Sequence, residues 1–131
     1  MKKYIVKAEI MIAVTDEDID DIMCSALEGG ITYWADAANV VGKFLGEYAS
    51  EQISRGGKLK IHTIEPFDED ETEWYVLNED KLLKGIKMAI EDGYRADYGW
   101  YDGGKLDCGQ IDAEVADVIV QLGLFGEVIY G

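Results

Sequence analysis

Between Val6 and Val14 the chain alternates: Val6, Ala8, Ile10, Ile12 and Val14 lie on one side, Lys7, Glu9, Met11 and Ala13 on the other. A period of two predicts a β-strand whose second face is partly covered. The period then changes. Thr15 with Asp18 three residues on has the form of a capping box, and Asp16, Glu17 and Asp18 place negative charge at the positive end of a helix dipole. Ile19, Ile22, Met23, Ala26 and Leu27 follow at helical spacing up to a stop at Gly29-Gly30.

From Ile31 to Gly57 the apolar spacing fits neither template for long, and Ile31 to Trp34 reads as a strand or an apolar turn. Order returns at Lys58 to Ile64, where Leu59, Ile61 and Thr63 share one face and Lys58, Lys60 and His62 the other, so a strand is expected. Thr72 to Leu77, rich in aromatic and β-branched residues, predicts a second strand, antiparallel because the connection is short. In it Trp74 is expected to face the core and Tyr75 a cross-strand partner. Asn78 then caps a helix with the stripe Leu82, Leu83, Ile86, Ala89 and Ile90, stopped by Gly93. Asp102-Gly103-Gly104 reads as a turn between two short aromatic-bearing segments. Asp112 caps a last helix, with Ile111 and Ala116 at staple positions and Val115, Val118, Ile119 and Leu122 as its stripe up to Gly126. The closing EVIYG reads as a short strand. The expectation is one α+β domain over residues 1–131, three helices packed on a mostly antiparallel sheet of about four to five strands.

Charge narrows the partners. Twelve basic against 27 acidic residues give a net charge of -15. Such a surface repels nucleic acid and anionic membrane, and is attracted to basic protein surfaces, including those that hold DNA or RNA. Solubility is the commoner use of such a charge. Two cysteines are too few for a disulfide framework, the opening residues do not read as an export signal, and no run approaches the ~20 apolar residues of a membrane helix. A cytoplasmic setting is expected.

Six carboxylates, Glu65, Asp68, Glu69, Asp70, Glu71 and Glu73, fall within nine residues between the two middle strands. Asp68, Asp70, Thr72 and Glu79 match positions 1, 3, 5 and 12 of a calcium-binding helix–loop–helix, but Glu73 occupies the position that needs glycine and strand-like residues flank the loop. One histidine and two cysteines give zinc no closely spaced ligand set. No metal or cofactor is therefore expected. His62 reads as a solvated neighbour of Lys58 and Lys60, Cys24 as a small apolar residue, and Cys108 as a loop thiol with no histidine to activate it. Asp107 and Asp112 read as a turn residue and an N-cap. The acidic stretch reads as a solvated turn that protects an edge strand, or as a strip of charge that mimics a nucleic-acid backbone. Arg55 with Gly56 and Gly57 forms the one locally basic turn. Should Tyr33 and Trp34 converge on it, the five would make a pocket for a nucleotide or other small anion.

The blocks CSALEGGITYWADAANVVG, YASEQISRGG and IDAEVADVIVQLGLFGEVIYG resemble a family of small hypothetical proteins encoded in phages and prophages of Gram-positive bacteria. The resemblance runs from about Thr15 to Gly131 and implies a genomic setting, the bacterial host cytoplasm, with no activity or site residue attached. Small acidic phage proteins often look like counter-defence factors. The leading expectation is a non-enzymatic interaction protein whose acidic surface engages a basic host protein, such as a nucleic-acid-binding defence protein. A small-anion binding module and a carboxylate-dependent enzyme are the alternatives, and an edge strand makes a homodimer plausible.

Overall fold

The computed structural model describes all 131 residues. Helix α1 spans Asp16–Ser25, and its start is the expected reciprocal cap: Asp18 N–H donates to Thr15 Oγ1 at 3.1 Å and Thr15 N–H to Asp18 Oδ2 at 2.9 Å. Such a cap contributes about 1 kcal/mol. The helix widens into one π-helical turn, Ala26–Gly30. Gly30 is required there, because a Cβ would lie 2.6 Å from the Ala113 carbonyl.

Three strands, β1 (Ala35–Val40), β2 (Leu59–Thr63) and β3 (Trp74–Leu77), form an antiparallel sheet in that order. Leu59, Ile61 and Thr63 point into the core as their alternation predicts. Strand β1 was not legible in the sequence. A bulge at Asp36 breaks its register between Ala35↔Thr63 and Ala37↔His62, which destroys the period of two. The orientation of β3 is the reverse of the expectation: Trp74 is 43% exposed, whereas Tyr75 turns inward against Phe125.

Helix α2 (Glu79–Glu91) starts at Asn78, whose side chain accepts from Lys81 N–H at 2.9 Å. Leu82, Ile86 and Ala89 are buried as expected, while Leu83 lies at the surface and Gly85 takes a place in the stripe. A two-stranded hairpin, β4 (Tyr101–Asp102) and β5 (Lys105–Leu106), turns at Gly103-Gly104. Helix α3 (Ala113–Phe125) is capped by Asp112, whose side chain accepts from Val115 N–H at 2.9 Å. Every residue of α3 from Val115 to Gly123 is buried, so α3 is the central helix, with no solvent face along that run. One core of 23 buried residues runs between the helices and the inner face of the sheet.

The molecule is therefore an α+β domain with three helices, but its strands divide into a three-stranded and a two-stranded sheet where one larger sheet was expected. Both end segments depart from the sequence reading. Residues 1–11 are exposed and join no sheet; Ala13 alone bridges Lys105, its N–H donating to Gly104 C=O at 2.7 Å. A strand pattern without a neighbour has no ladder to complete. The closing EVIYG is likewise no strand, for a reason found in α3: Gln121 Oε1 accepts from Ile129 N–H and Tyr130 N–H, each at 2.8 Å, and Gln121 Nε2 donates to Tyr130 C=O at 3.1 Å. One buried side-chain amide supplies the partners that a strand would have supplied. No helix is long and apolar enough to cross a membrane.

Candidate functional site

Two places combine polar side chains and shape. The first is the acidic connection between β2 and β3. Asp68 organises it: Oδ1 accepts from Thr72 N–H at 2.7 Å and Oδ2 from Thr72 Oγ1 at 2.6 Å, hydrogen bonds that hold its carboxyl below the usual carboxylate range. The same contacts occupy both Asp68 oxygens, so the residue in the first calcium position serves the turn. Glu71 takes a left-handed conformation with φ of 52°. Phe67 fastens the loop to the body, 5.0 Å from Phe125 edge to face and 6.0 Å from Tyr75 in a stack, and Tyr130 Oη donates to the Glu65 carbonyl at 2.6 Å. The loop is thus a fixed projection, and Glu69, Asp70 and Glu71 stand exposed on it with no ion-pair partner.

Beside the loop lies the outer face of the sheet. Trp74 covers His62 at 4.7 Å between ring centroids, with Lys60 Nζ 5.2 Å from the indole, and Val76 is 37% exposed next along the strand. His62 is not the freely solvated side chain expected: Nδ1 sits 2.5 Å from Asp36 Oδ1 and Nε2 sits 3.4 Å from Glu73 Oε1. The bulge in β1 is what places Asp36 there. The hydrogen bond to Asp36 and the charges of both carboxylates raise the His62 pKa above its ordinary 6.5. Because the folded value is the higher one, the contribution to stability is fully present below about pH 6.5 and disappears as pH rises through the folded midpoint. An NMR titration of the imidazole is expected to give a midpoint above 6.5 that falls back toward it in Asp36→Asn. An unshifted midpoint in the native chain would refute the contact.

The second place is a cleft of about 740 Å³ between the π turn, Tyr94-Arg95, α3 and the closing segment. At its base Asp117, only 7% exposed, accepts from Tyr33 Oη at 2.6 Å, from Trp34 Nε1 at 2.7 Å and from Gln121 Nε2 at 2.9 Å. Burial and the Asp117 carboxylate push the Tyr33 phenol upward, so it stays protonated and keeps donating. Trp34 is buried and stacks on Tyr130 at 5.1 Å. The rim carries Arg95, paired with Asp112 at 3.5 Å and with Glu114.

Of the expected small-anion pocket, only Tyr33 lines this cleft. Trp34 belongs to the core. Arg55 pairs with Glu51 at 3.6 Å, Gly56 N–H donates to Ile53 C=O and Gly57 N–H to Gln52 C=O. The backbone donors that an anion would need are engaged within the turn, and Gly57 is required because a Cβ would meet the Gln52 side-chain amide at 2.5 Å. No hydrogen bond or ion pair joins Arg55 to Tyr33 or Trp34. Cys108 is also unlike a reactive thiol. Burial and the nearby Asp18 carboxylate, 3.4 Å from Sγ, push it up to about 12. Asp107 accepts from Gly109 N–H at 3.1 Å, the turn role expected of it.

Sequence reasoning missed Asp117 and Gln121 because both sit one turn apart in a helix read only for its apolar stripe. Two polar residues inside an otherwise continuous apolar run, Val115 to Leu122, were the available signal. These features define a class, a single α+β domain with an anchored acidic loop. No family model matches the chain, and no curated protein or solved structure matches it significantly.

Proposed function

We propose that the protein is a non-enzymatic interaction protein of a phage or mobile element that engages a basic host protein through the acidic loop and the adjoining Trp74 face. The observation that carries this reading is the fixed display of Glu69, Asp70 and Glu71, unpaired and outward, on a loop fastened by Phe67, Asp68 and Tyr130. A preorganised loop loses little conformational freedom on binding, which a floppy acidic turn would not match. Trp74 and Val76 supply an apolar centre beside the charged rim, the usual anatomy of a specific interface. Mimicry of a nucleic-acid backbone is the form of engagement that suits a host protein built to hold DNA or RNA.

A small-anion module is less well supported, since Arg55 is engaged by Glu51 and Arg95 by Asp112 and Glu114. A carboxylate-dependent enzyme would draw on Asp36, His62 and Glu73, but both imidazole nitrogens face carboxylates, leaving neither free to exchange a proton with a substrate. The test is capture of a host protein from bacterial lysate at low and high salt, followed by affinity measurement on the purified complex. Glu69→Gln, Asp70→Asn and Glu71→Gln together are expected to weaken binding about tenfold or more and to flatten its salt dependence. Trp74→Ala is expected to weaken it without changing the salt slope. Unchanged affinity in the triple variant would sink the reading.

A further inference from the structure

The strand pattern at the head of the sequence is the one element that the fold leaves without a partner. Its apolar side chains stand in water, Val6 at 85% and Ile10 at 59% exposure, although their spacing is that of a half-buried strand. Exposed apolar groups of this size together with an unpaired, β-prone backbone are the ingredients of strand addition. The segment carries Lys2, Lys3 and Lys7, three of the 12 basic residues of a chain with net charge -15.

The sheet offers an edge that matches it. Thr63 N–H donates to Glu73 C=O, and the alternation of an antiparallel ladder then turns the N–H and C=O groups of Trp74 and Val76 to the outer side of β3. Lys81 Nζ takes the Val76 carbonyl at 2.7 Å; the remaining outward groups of these two residues face no strand. Directly before this edge stands the acidic turn with Glu69, Asp70 and Glu71. An edge of unpaired backbone, flanked by unpaired carboxylates, is complementary to a strand that begins with lysines.

We infer that residues 1–12 of one copy add as a strand to the outer edge of β3 in a second copy, and that the exchange is reciprocal. Setting the lysines against the acidic turn makes the added strand run parallel to β3. The extended segment reaches about 35 Å, ample to cross the turn and the four residues of β3. Reciprocal exchange closes a two-fold dimer, since each copy then gives one strand and receives one. The pairing goes beyond the interaction reading and draws on the same three carboxylates, so a host protein would compete with it for the acidic turn; its test uses this chain alone, and a failure of the pairing leaves the interaction reading standing.

The experiment is light scattering coupled to size exclusion on the full chain across a range of concentrations. The expected mass is twice that of one chain. Removal of residues 1–12 is expected to give a monomer with unchanged circular dichroism. Val76→Pro is expected to do the same, because its N–H points away from β2 and its loss spares the sheet's own ladder. Replacing Lys2, Lys3 and Lys7 by Gln is expected to raise the dimer dissociation constant about tenfold and to flatten its dependence on salt. A full chain that stays monomeric up to millimolar concentration overturns the inference. So does a dimer that survives either the truncation or Val76→Pro.

Discussion

Replacing Asp117 by alanine is expected to lower the stability of the domain by about 3–5 kcal/mol, a large share of the ~5–15 kcal/mol that holds a domain of this kind folded. Three donors lose a shared acceptor, and for Trp34 Nε1 it is the sole one. Trp34 Nε1 and Gln121 Nε2, both on fully buried side chains, donate to Oδ1, and Tyr33 Oη donates to Oδ2. Each buried donor left unpaired costs about 1–3 kcal/mol. Gln121 also pins Ile129 and Tyr130, so disorder at Asp117 spreads to the closing segment. Asparagine separates geometry from charge. Its oxygen at the Oδ1 position keeps Trp34 and Gln121, while Tyr33 Oη, 3.1 Å from the Tyr130 carbonyl, has a second acceptor. Asp117→Asn is therefore expected to cost within about 1 kcal/mol. Denaturant unfolding of the two variants decides the matter; equal losses would show that the charge itself is needed.

The second large effect is expected at Gly85. A Cβ there would overlap the Ile119 carbonyl, and one at Gly123 would overlap the Lys81 carbonyl, so α2 and α3 meet backbone to backbone at this pair. Alanine gains about 1 kcal/mol in helix propensity over glycine. The clash outweighs it, since the atoms in the way are helix backbone and the helices must separate along a buried seam, so Gly85→Ala is expected to cost about 3 kcal/mol or more. Gly29 is the control: it lies in the π turn with nothing within 4 Å of the place a Cβ would take, and Gly29→Ala is expected to be neutral to mildly stabilising. Comparable unfolding midpoints for Gly85→Ala and the native chain would refute the close approach.

For the candidate site, the sequence located the acidic residues but not their division of labour. Six carboxylates in a row look alike in a string of letters. In the structure Asp68 ties the turn, Glu73 approaches His62, Glu65 lends its backbone carbonyl to Tyr130, and Glu69, Asp70 and Glu71 stand exposed without an ion pair. The expected grouping of Arg55 with Tyr33 and Trp34 did not form. Each found a nearer partner of opposite polarity, Glu51 in one case and Asp117 in the other.

What the sequence determined by itself was local. Thr15, Asn78 and Asp112 set where three helices begin, because a cap needs only a side chain and a backbone N–H three residues away. The alternation of Leu59, Ile61 and Thr63 set a strand and its inner face, and Gly103-Gly104 set a turn. The tertiary structure decided whatever depends on a partner far along the chain. Strand β1 exists through β2, despite a bulge and an alanine-rich sequence of low β propensity. The first twelve residues carry a better strand pattern and remain unpaired within the chain. Gln121 fixes the closing segment, and Gln52 holds the Lys43–Leu45 loop through Lys43 C=O and Leu45 N–H, in each case by a buried amide acting as a substitute strand. A hydrogen bond across many residues leaves no period in the sequence, since its second half is written elsewhere in the chain.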